Sequence, residues 1–306
     1  MTNILASKPY NYLKKNLVKS KRFSNVDIET KAFPDGEHYF RITRPEKISG
    51  KPAVYICGTT DDAAILEAYN IACTLVHEGC QSLHLVIPYF GYSTMERAIN
   101  SGESVSAKNI ARLFSSIPLS AIGNYIYMVD LHSIGTQYYF EQNIHPVHLT
   151  TDPIIDKMIN DIRRKRKNVV LASADMGRAK WIEKISSRLN MSSGFIMKKR
   201  LSGVETEVVA LNADVKNKDV ILFDDMIRSG SSIIHAAEAY KSIGAKDIYV
   251  VCVHGIFVDG SIEKLKKSGV IKAVYCTNTH SKTQQIHDNF VKVYDISDII
   301  LNGLRI

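Results

Sequence analysis

Short apolar runs alternate with amphipathic stretches along most of this chain. The runs at 53–58, 83–88, 125–130, 169–173, 195–198, 220–223, 248–253 and 273–277 have the length and near-continuous hydrophobicity of strands buried on both faces. The stretches at 63–77, 106–114, 152–163, 180–189, 232–242 and 261–267 place apolar residues three and four apart, which predicts helices. Strand and helix in alternation predict an α/β chain with parallel sheets covered by helices. The two halves also echo each other. Gly79 ends one predicted helix and leads into the run Ser82-Leu83-His84-Leu85-Val86; Gly244 ends another and leads into Asp247-Ile248-Tyr249-Val250-Val251. These glycines read as helix C-caps about one domain length apart. They suggest a duplicated unit with a boundary near 144–151, so that residues 1–147 and 148–306 form two domains.

Composition narrows the class. The 306 residues are 45% hydrophobic and 23% charged, enough apolar content for packed cores and too much for disorder. No apolar run approaches bilayer-spanning length, and residues 1–8 lack the long apolar segment of a secretion signal, so a cytoplasmic protein without membrane contact is expected. Three of the five cysteines, Cys57, Cys252 and Cys276, fall in apolar runs, and with Cys73 and Cys80 they form no Cys-x-x-Cys pair. Buried free thiols fit this better than disulfides or zinc. The formal net charge of +8 suits an anionic ligand. The densest basic run, Arg163-Arg164-Lys165-Arg166-Lys167, closes a predicted helix, where the dipole and solvation account for it. Nucleic acid binding would rest on charge alone and is not expected.

Candidate chemistry concentrates at Asp224-Asp225-Met226-Ile227-Arg228-Ser229-Gly230-Ser231-Ser232, between an apolar run and a helical pattern. Two carboxylates at a strand end can hold sugar hydroxyls or a magnesium ion. The small polar loop after them can turn backbone N–H groups and a helix N-terminus toward one anion. The Gly-x4-Gly-Lys-Ser/Thr spacing of a Walker A loop is absent. Asp130 and His132, two apart at a predicted strand end, would point to one side. So would Lys198 and Arg200, and two cations on one side suit a transferring phosphoryl group. Phe33-Pro34-Asp35-Gly36-Glu37 reads as a turn and Asp175-Met176-Gly177 as a strand-end loop.

Taken in order, these segments resemble one family. Phe33-Pro34-Asp35-Gly36-Glu37 is similar to its FSDGE loop, and Ile87-Pro88-Tyr89-Phe90-Gly91-Tyr92 to its IPYFGY segment. Glu103 to Lys108 resembles its EPITAK, Asp130-Leu131-His132 its DLH, and Asp175-Met176-Gly177 its D-x-G loop. Lys198-Lys199-Arg200 resembles its KRR, Asp224 to Ile227 its DDMI, His254-Gly255 its THG and Thr277-Asn278-Thr279 its TNT. The family is ribose-phosphate pyrophosphokinase, or phosphoribosyl pyrophosphate synthetase. The resemblance implies two phosphoribosyltransferase-like domains, each a mainly parallel sheet flanked by helices, in a homo-oligomer (dimer or hexamer). The N-terminal domain would carry the ATP side and the oligomer contacts, the C-terminal domain the ribose-phosphate side. It implies magnesium-dependent transfer of the β,γ-diphosphoryl group of ATP to O1 of ribose 5-phosphate. By the same resemblance Asp224 and Asp225 would hold the ribose hydroxyls, and Arg228, Ser229, Gly230, Ser231 and Ser232 the 5-phosphate. Lys198 and Arg200 would be catalytic. Glu96, Arg97 and His132 would bind ATP, with Phe33, Asp35 and Glu37 reaching the adenine bound to a neighbouring subunit. His132 and Asp175 would serve the metal.

Two departures stand out. The family's Arg-Gln-Asp-Arg after IPYFGY-Ala is Thr94-Met95-Glu96-Arg97 here, and Thr94 supplies no guanidinium. The family's Asp-Thr-Ala-Gly-Thr is Arg228-Ser229-Gly230-Ser231-Ser232, a more cationic loop. They keep open the same chemistry on a larger acceptor, such as ADP-ribose, and a non-catalytic regulatory relative. A phosphoribosyltransferase would leave the segments at 33–37 and 87–92 without a role.

Overall fold

The structure, a computed structural model, describes residues 1–141, 144–164, 166–174, 176–200, 206–211 and 214–306; for Met176, 196–200 and 206–211 it describes the backbone alone. The chain divides into two compact units, Met1–Thr150 with Ser297–Ile306, and Thr151–Ile296.

The first unit runs β1 (Thr2–Ala6), α1 (Asn11–Val18), β2 (Phe23–Asn25), β3 (Ile28–Ala32), β4 (His38–Ile42), β5 (Ala53–Ile56), α2 (Asp62–His77), β6 (Ser82–Ile87), α3 (Ser106–Ser115), β7 (Gly123–Val129) and β8 (Ile144–Leu149). Its main sheet has the order β2-β1-β5-β6-β7-β8, with every neighbouring pair parallel. β3 and β4 form a separate antiparallel hairpin. The second unit runs α4 (Asp152–Arg163), β9 (Val169–Ser173), α5 (Ala179–Leu189), β10 (Ser192–Gly194), β11 (Ile196–Arg200), β12 (Thr206–Leu211), β13 (Asp219–Ile227), α6 (Ser231–Ser242), β14 (Ile248–Gly255), α7 (Ser261–Lys267), β15 (Ala273–Thr277) and β16 (Val291–Tyr294). Its parallel sheet has the order β10-β9-β13-β14-β15-β16, and β11 and β12 make a second antiparallel hairpin. The two sheets thus share one topology, each with a hairpin inserted after its short edge strand. The final helix, α8 (Ser297–Gly303), follows β16 in sequence but belongs to the first unit. There the Leu301 carbonyl accepts a 3.1 Å hydrogen bond from Arg22 Nη1.

Strand alternation sorts side chains into two cores in the second unit. Val220 and Leu222 join the cluster that includes Ile233, Ala237 and Tyr240 of α6; Ile221 and Phe223 join the one that includes Ile155 and Ile159 of α4 and Ile182 and Ile185 of α5. Burial on both faces is why these strands read as continuous apolar runs. The echoing glycines close matching caps. Gly79 (φ +76°) and Gly244 (φ +95°) adopt the left-handed conformation that side chains resist. Their N–H groups bond Val76 and Lys241 carbonyls, and the next N–H groups, of Cys80 and Ala245, reach back to Leu75 and Tyr240. This is the Schellman pattern in both places. All five cysteines are free thiols, four of them buried. Among the described residues no helix is long and apolar enough to cross a membrane.

Buried histidines give the fold an acid limit. His84 on β6 is 1% exposed, with Nε2 2.9 Å from Ser82 Oγ and Nδ1 3.0 Å from the Tyr127 hydroxyl. His280 is buried in the second unit. Burial pushes both imidazoles down to about 4. The unfolded chain therefore takes up these protons first, and stability present above the ordinary histidine range is lost as pH falls toward 4. Each site should forfeit roughly 2–3 kcal/mol between pH 7 and pH 4.5. Urea midpoints at the two pH values measure the loss, and His84→Gln should flatten the dependence while lowering the midpoint at pH 7.

Candidate functional site

The candidate residues of each main sheet gather at the C-terminal ends of its parallel strands, where open α/β sheets bind ligands. In the second unit the chain order reverses between β9 and β13, which lie side by side. β13 does not stop before the acidic pair, as the apolar pattern predicts. It continues to Ile227, with Asp224 paired to Cys252, Met226 to His254 and Ile227 to Gly255 on β14. Both carboxylates therefore sit inside the strand, with backbone fixed by its neighbours. Asp224 Oδ1 accepts the Asp225 N–H at 2.9 Å. Asp225 is 3% exposed, and its Oδ2 lies 2.6 Å from Arg178 Nη2. Burial, and then the adjacent charge of Asp225, push the Asp224 carboxyl up from 3.8 to about 8.

After β13 the chain turns through Arg228 and Ser229, both exposed, and Gly230 (φ +76°) into α6. The turn is held from behind by the following segment: Phe257 N–H bonds the Ile227 carbonyl and Val258 N–H that of Arg228. Leu265 of α7 fills the space beside Gly230, where a Cβ would come within 2.8 Å of it. On the open side Ser229 and Ser231 hydroxyls stand 3.2 Å apart, and Lys264 Nζ donates to Ser231 Oγ at 2.6 Å. Two hydroxyls and a lysine thus meet at the first turn of a twelve-residue helix, with Ser232 exposed in the same turn. His254 is buried one strand further on, with Nδ1 2.9 Å from Thr279 Oγ1.

In the first unit, the IPYFGY segment leaves β6 and folds onto the end of β5. Gly91 N–H donates to Thr59 Oγ1 at 2.7 Å, and that hydroxyl donates to the Tyr89 carbonyl at 3.1 Å. A Cβ on Gly91 would come within 1.8 Å of the Thr59 carbonyl oxygen, so only glycine permits this approach. Glu96 and Arg97 follow, with Oε1 and Nε 3.7 Å apart, and the Tyr139 hydroxyl anchors the Glu96 carbonyl at 2.6 Å. Asp130 and His132 lie just past the end of β7. The alternation that would put them on one side does not extend through them, because Asp130 has φ +37°. Asp130 is 2% exposed, and its Oδ1 lies 3.9 Å from His148 Nε2; His132 is half-buried beyond it.

Phe33, Asp35 and Glu37 stand apart from that sheet edge, at the tip of the β3–β4 hairpin. Asp35 Oδ1 accepts the Glu37 N–H at 3.0 Å, and the Phe33 ring, 48% exposed, meets Tyr39 edge-on with centroids 6.5 Å apart. Lys198 and Arg200 lie on β11, opposite Val208 and Thr206; their side chains, and Asp175, are outside the described residues. The sequence reading missed Arg178 and Lys264. Only the adjacency of β9 to β13, and of α7 to the loop, brings them to the site, and no local pattern announces either.

A magnesium ion carried by a nucleotide needs few protein ligands, because triphosphate and water oxygens fill most of its octahedron. Among the described residues, which do not include Asp175, no group of three or more His, Cys, Asp or Glu side chains forms a metal cage.

Comparison with known proteins agrees with this arrangement. The family model for the N-terminal domain of ribose phosphate pyrophosphokinase matches residues 2–117, and that for the phosphoribosyl synthetase-associated domain matches 196–306. A ribose-phosphate pyrophosphokinase of Pyrococcus abyssi is 30% identical over 259 residues, 83% of this chain and 84% of that one. One from Saccharolobus solfataricus is 29% identical, with 98% and 99% covered. The crystal structure of phosphoribosylpyrophosphate synthetase from Mycobacterium smegmatis superposes with a TM-score of 0.87 over 98% of this chain and 96% of that one, at 23% identity, and so shares the fold. With the doubled α/β topology, the strand-borne acidic pair and the loop that opens α6, these matches establish that the chain belongs to the ribose-phosphate pyrophosphokinase family.

Proposed function

We propose that this chain transfers the β,γ-diphosphoryl group of ATP to O1 of ribose 5-phosphate, giving phosphoribosyl pyrophosphate and AMP. The observation that carries the reading is the acidic pair fixed in β13, followed at once by the Ser229–Ser231 turn into α6. A ribose 5-phosphate presents two adjacent hydroxyls and one dianion, and the two parts of this segment match them in order. Burial and the neighbouring Asp225 raise the proton affinity of Asp224, and the two carboxyl groups side by side offer hydrogen-bond partners to the two adjacent hydroxyls of the sugar. The 5-phosphate takes the N–H groups of the α6 first turn, with Ser229, Ser231 and Ser232 hydroxyls, backbone at Gly230, and positive charge from Arg228 and Lys264.

The reaction forms a bond from ribose O1 to the β-phosphorus and breaks the bond from that phosphorus to the oxygen retained by AMP; the proton of the O1 hydroxyl is released. Such a transfer needs in-line placement and charge neutralisation more than covalent participation. Lys198 and Arg200 are assigned to the charge on the non-bridging oxygens. Glu96, Arg97 and His132 are assigned to the nucleotide, and His132 and Asp175 to its magnesium ion. When bound, that ion neutralises the triphosphate. Phe33, Asp35 and Glu37 are assigned to the adenine of ATP on a neighbouring subunit of a homo-oligomer. The exposed aromatic face at the hairpin tip supports this, since an exposed Phe33 gains most from stacking on a base. The first unit is then the ATP side and the second the ribose-phosphate side.

Incubation with ATP, magnesium and a panel of phosphorylated riboses, read by product mass, tests the reading. Equimolar AMP and phosphoribosyl pyrophosphate are expected. Absence of AMP with every divalent metal overturns catalysis in favour of a regulatory role. Faster turnover of ADP-ribose than of ribose 5-phosphate replaces the acceptor.

A further inference from the structure

Arg178 has no part in the reading above, yet it makes close ionic contacts with both members of the acidic pair. It stands immediately before α5, in the segment that leaves β9. Its Nη2 lies 2.6 Å from Asp225 Oδ2 and its Nε 3.9 Å from Asp224 Oδ1. The side chains are 13%, 4% and 17% exposed for Arg178, Asp225 and Asp224, so water screens this contact little.

The placement follows from the fold. Asp225 continues the face of β13 that carries Ile221 and Phe223, and those residues pack with α5. A residue at the start of α5 therefore meets Asp225 first and Asp224 at longer range. β9 and β13 are neighbours, which brings Arg178, at the start of α5, within reach of the end of β13. Two carboxyl groups on consecutive residues with little access to water disfavour each other's charge, and a guanidinium at 2.6 Å and 3.9 Å opposes that repulsion. Its planar fork also holds a carboxylate in one orientation, which an ammonium does less well.

We propose that Arg178 is a positioning residue of the ribose site, fixing the orientation of Asp225 and countering the charge of the pair so that both carboxylates can receive the 2- and 3-hydroxyls of the sugar. The inference rests on the assignment of Asp224 and Asp225 to ribose made above. Arg178 acts through these carboxylates, so its removal should weaken sugar binding selectively.

The test uses the full-length protein with Arg178→Met and Arg178→Lys. For R178M, KM for ribose 5-phosphate should rise at least tenfold, with kcat and KM for ATP changed less than threefold. R178K should recover part of the loss. With 2-deoxyribose 5-phosphate, which lacks one of the two hydroxyls, the penalty of R178M should shrink. A merely structural role would not distinguish the two sugars. Equal losses for ATP and sugar, or an unchanged KM for ribose 5-phosphate, would overturn the proposal. If R178M does not fold, R178K decides by the same sugar-selective rise in KM. If the wild-type protein forms no product with any acceptor, the functional reading fails separately, and equilibrium binding of ribose 5-phosphate decides the inference. Tenfold weaker binding by R178M sustains it; equal binding, or none by the wild type, ends it.

Discussion

Replacing Lys198 by alanine is expected to lower the turnover of AMP release by about 10³-fold or more while the protein stays folded. Charge on the non-bridging oxygens grows as the diphosphoryl group passes between oxygens, and a cation aimed at that charge acts mainly in the transition state. A loss of 10³ corresponds to about 4 kcal/mol, in the range seen when one preorganised electrostatic partner is removed. KM values for both substrates should move little, because the interaction removed is weak in the ground state. The fold should survive, because β11 belongs to its own two-stranded ribbon and contributes no pairing to the six-stranded sheet. Arg200→Ala should behave similarly. With both cations assigned to the same charge, the double variant should be far less impaired than the product of the two losses. Circular dichroism and thermal unfolding check the fold, and single-turnover AMP release checks the chemistry. Near-normal release from the Lys198 variant would remove the assigned role.

What could be read from the sequence follows from which residues are buried on both sides. Residues 54–56 and 221–223 are continuous apolar runs because helices cover both faces of a parallel sheet, so their strands are legible. The helix ends at Gly79 and Gly244 are legible because the cap itself demands a left-handed residue. Elements held mainly by backbone pairing are not legible. β13 gains four residues past Phe223 by pairing with β14, although Asp224 and Asp225 carry no strand signal. β10 is Ser-Ser-Gly at a sheet edge, and β3 is a half-exposed polar strand of a hairpin. The membership of α8 in the first unit depends on partners far away in sequence, such as Arg22. The site divides along the same line. The acidic pair and the serine loop lie in one segment and are legible together; Arg178 and Lys264 reach them from other elements and are not. Asp130 shows the opposite case: its two-apart spacing from His132 predicts strand geometry, and a single left-handed residue breaks it.

Asp224→Asn and Asp225→Asn should have similar effects on activity and opposite effects on stability. Each removes a carboxyl group assigned above to the sugar, and a buried site built for hydroxyls loses about 10²–10³ in kcat/KM for ribose 5-phosphate when one strong contact goes. The stability signs follow from proton linkage. In the folded protein, burial and the neighbouring Asp225 raise Asp224 to about 8, above its ordinary 3.8. Between those values the folded state holds more protons at this carboxyl than the unfolded state, so its contribution to stability falls as pH rises. At pH 7 most of that loss has been incurred, and an uncharged asparagine escapes it. Tm should therefore rise at pH 7, and the gain should shrink at pH 5. The short contact of Arg178 survives this change, because it is made to Asp225. Asp225→Asn instead removes the 2.6 Å charge partner of a guanidinium only 13% exposed, and breaking a buried pair from one side costs about 3–5 kcal/mol. Thermal unfolding of both variants at pH 7 and pH 5 separates the cases. A gain for Asp224→Asn that disappears on acidification, set against a loss for Asp225→Asn at both pH values, identifies Asp224 as the carboxyl held at a cost for the substrate and Asp225 as the one that anchors the site. Equal destabilisation by both would mean that the guanidinium serves the two carboxylates alike.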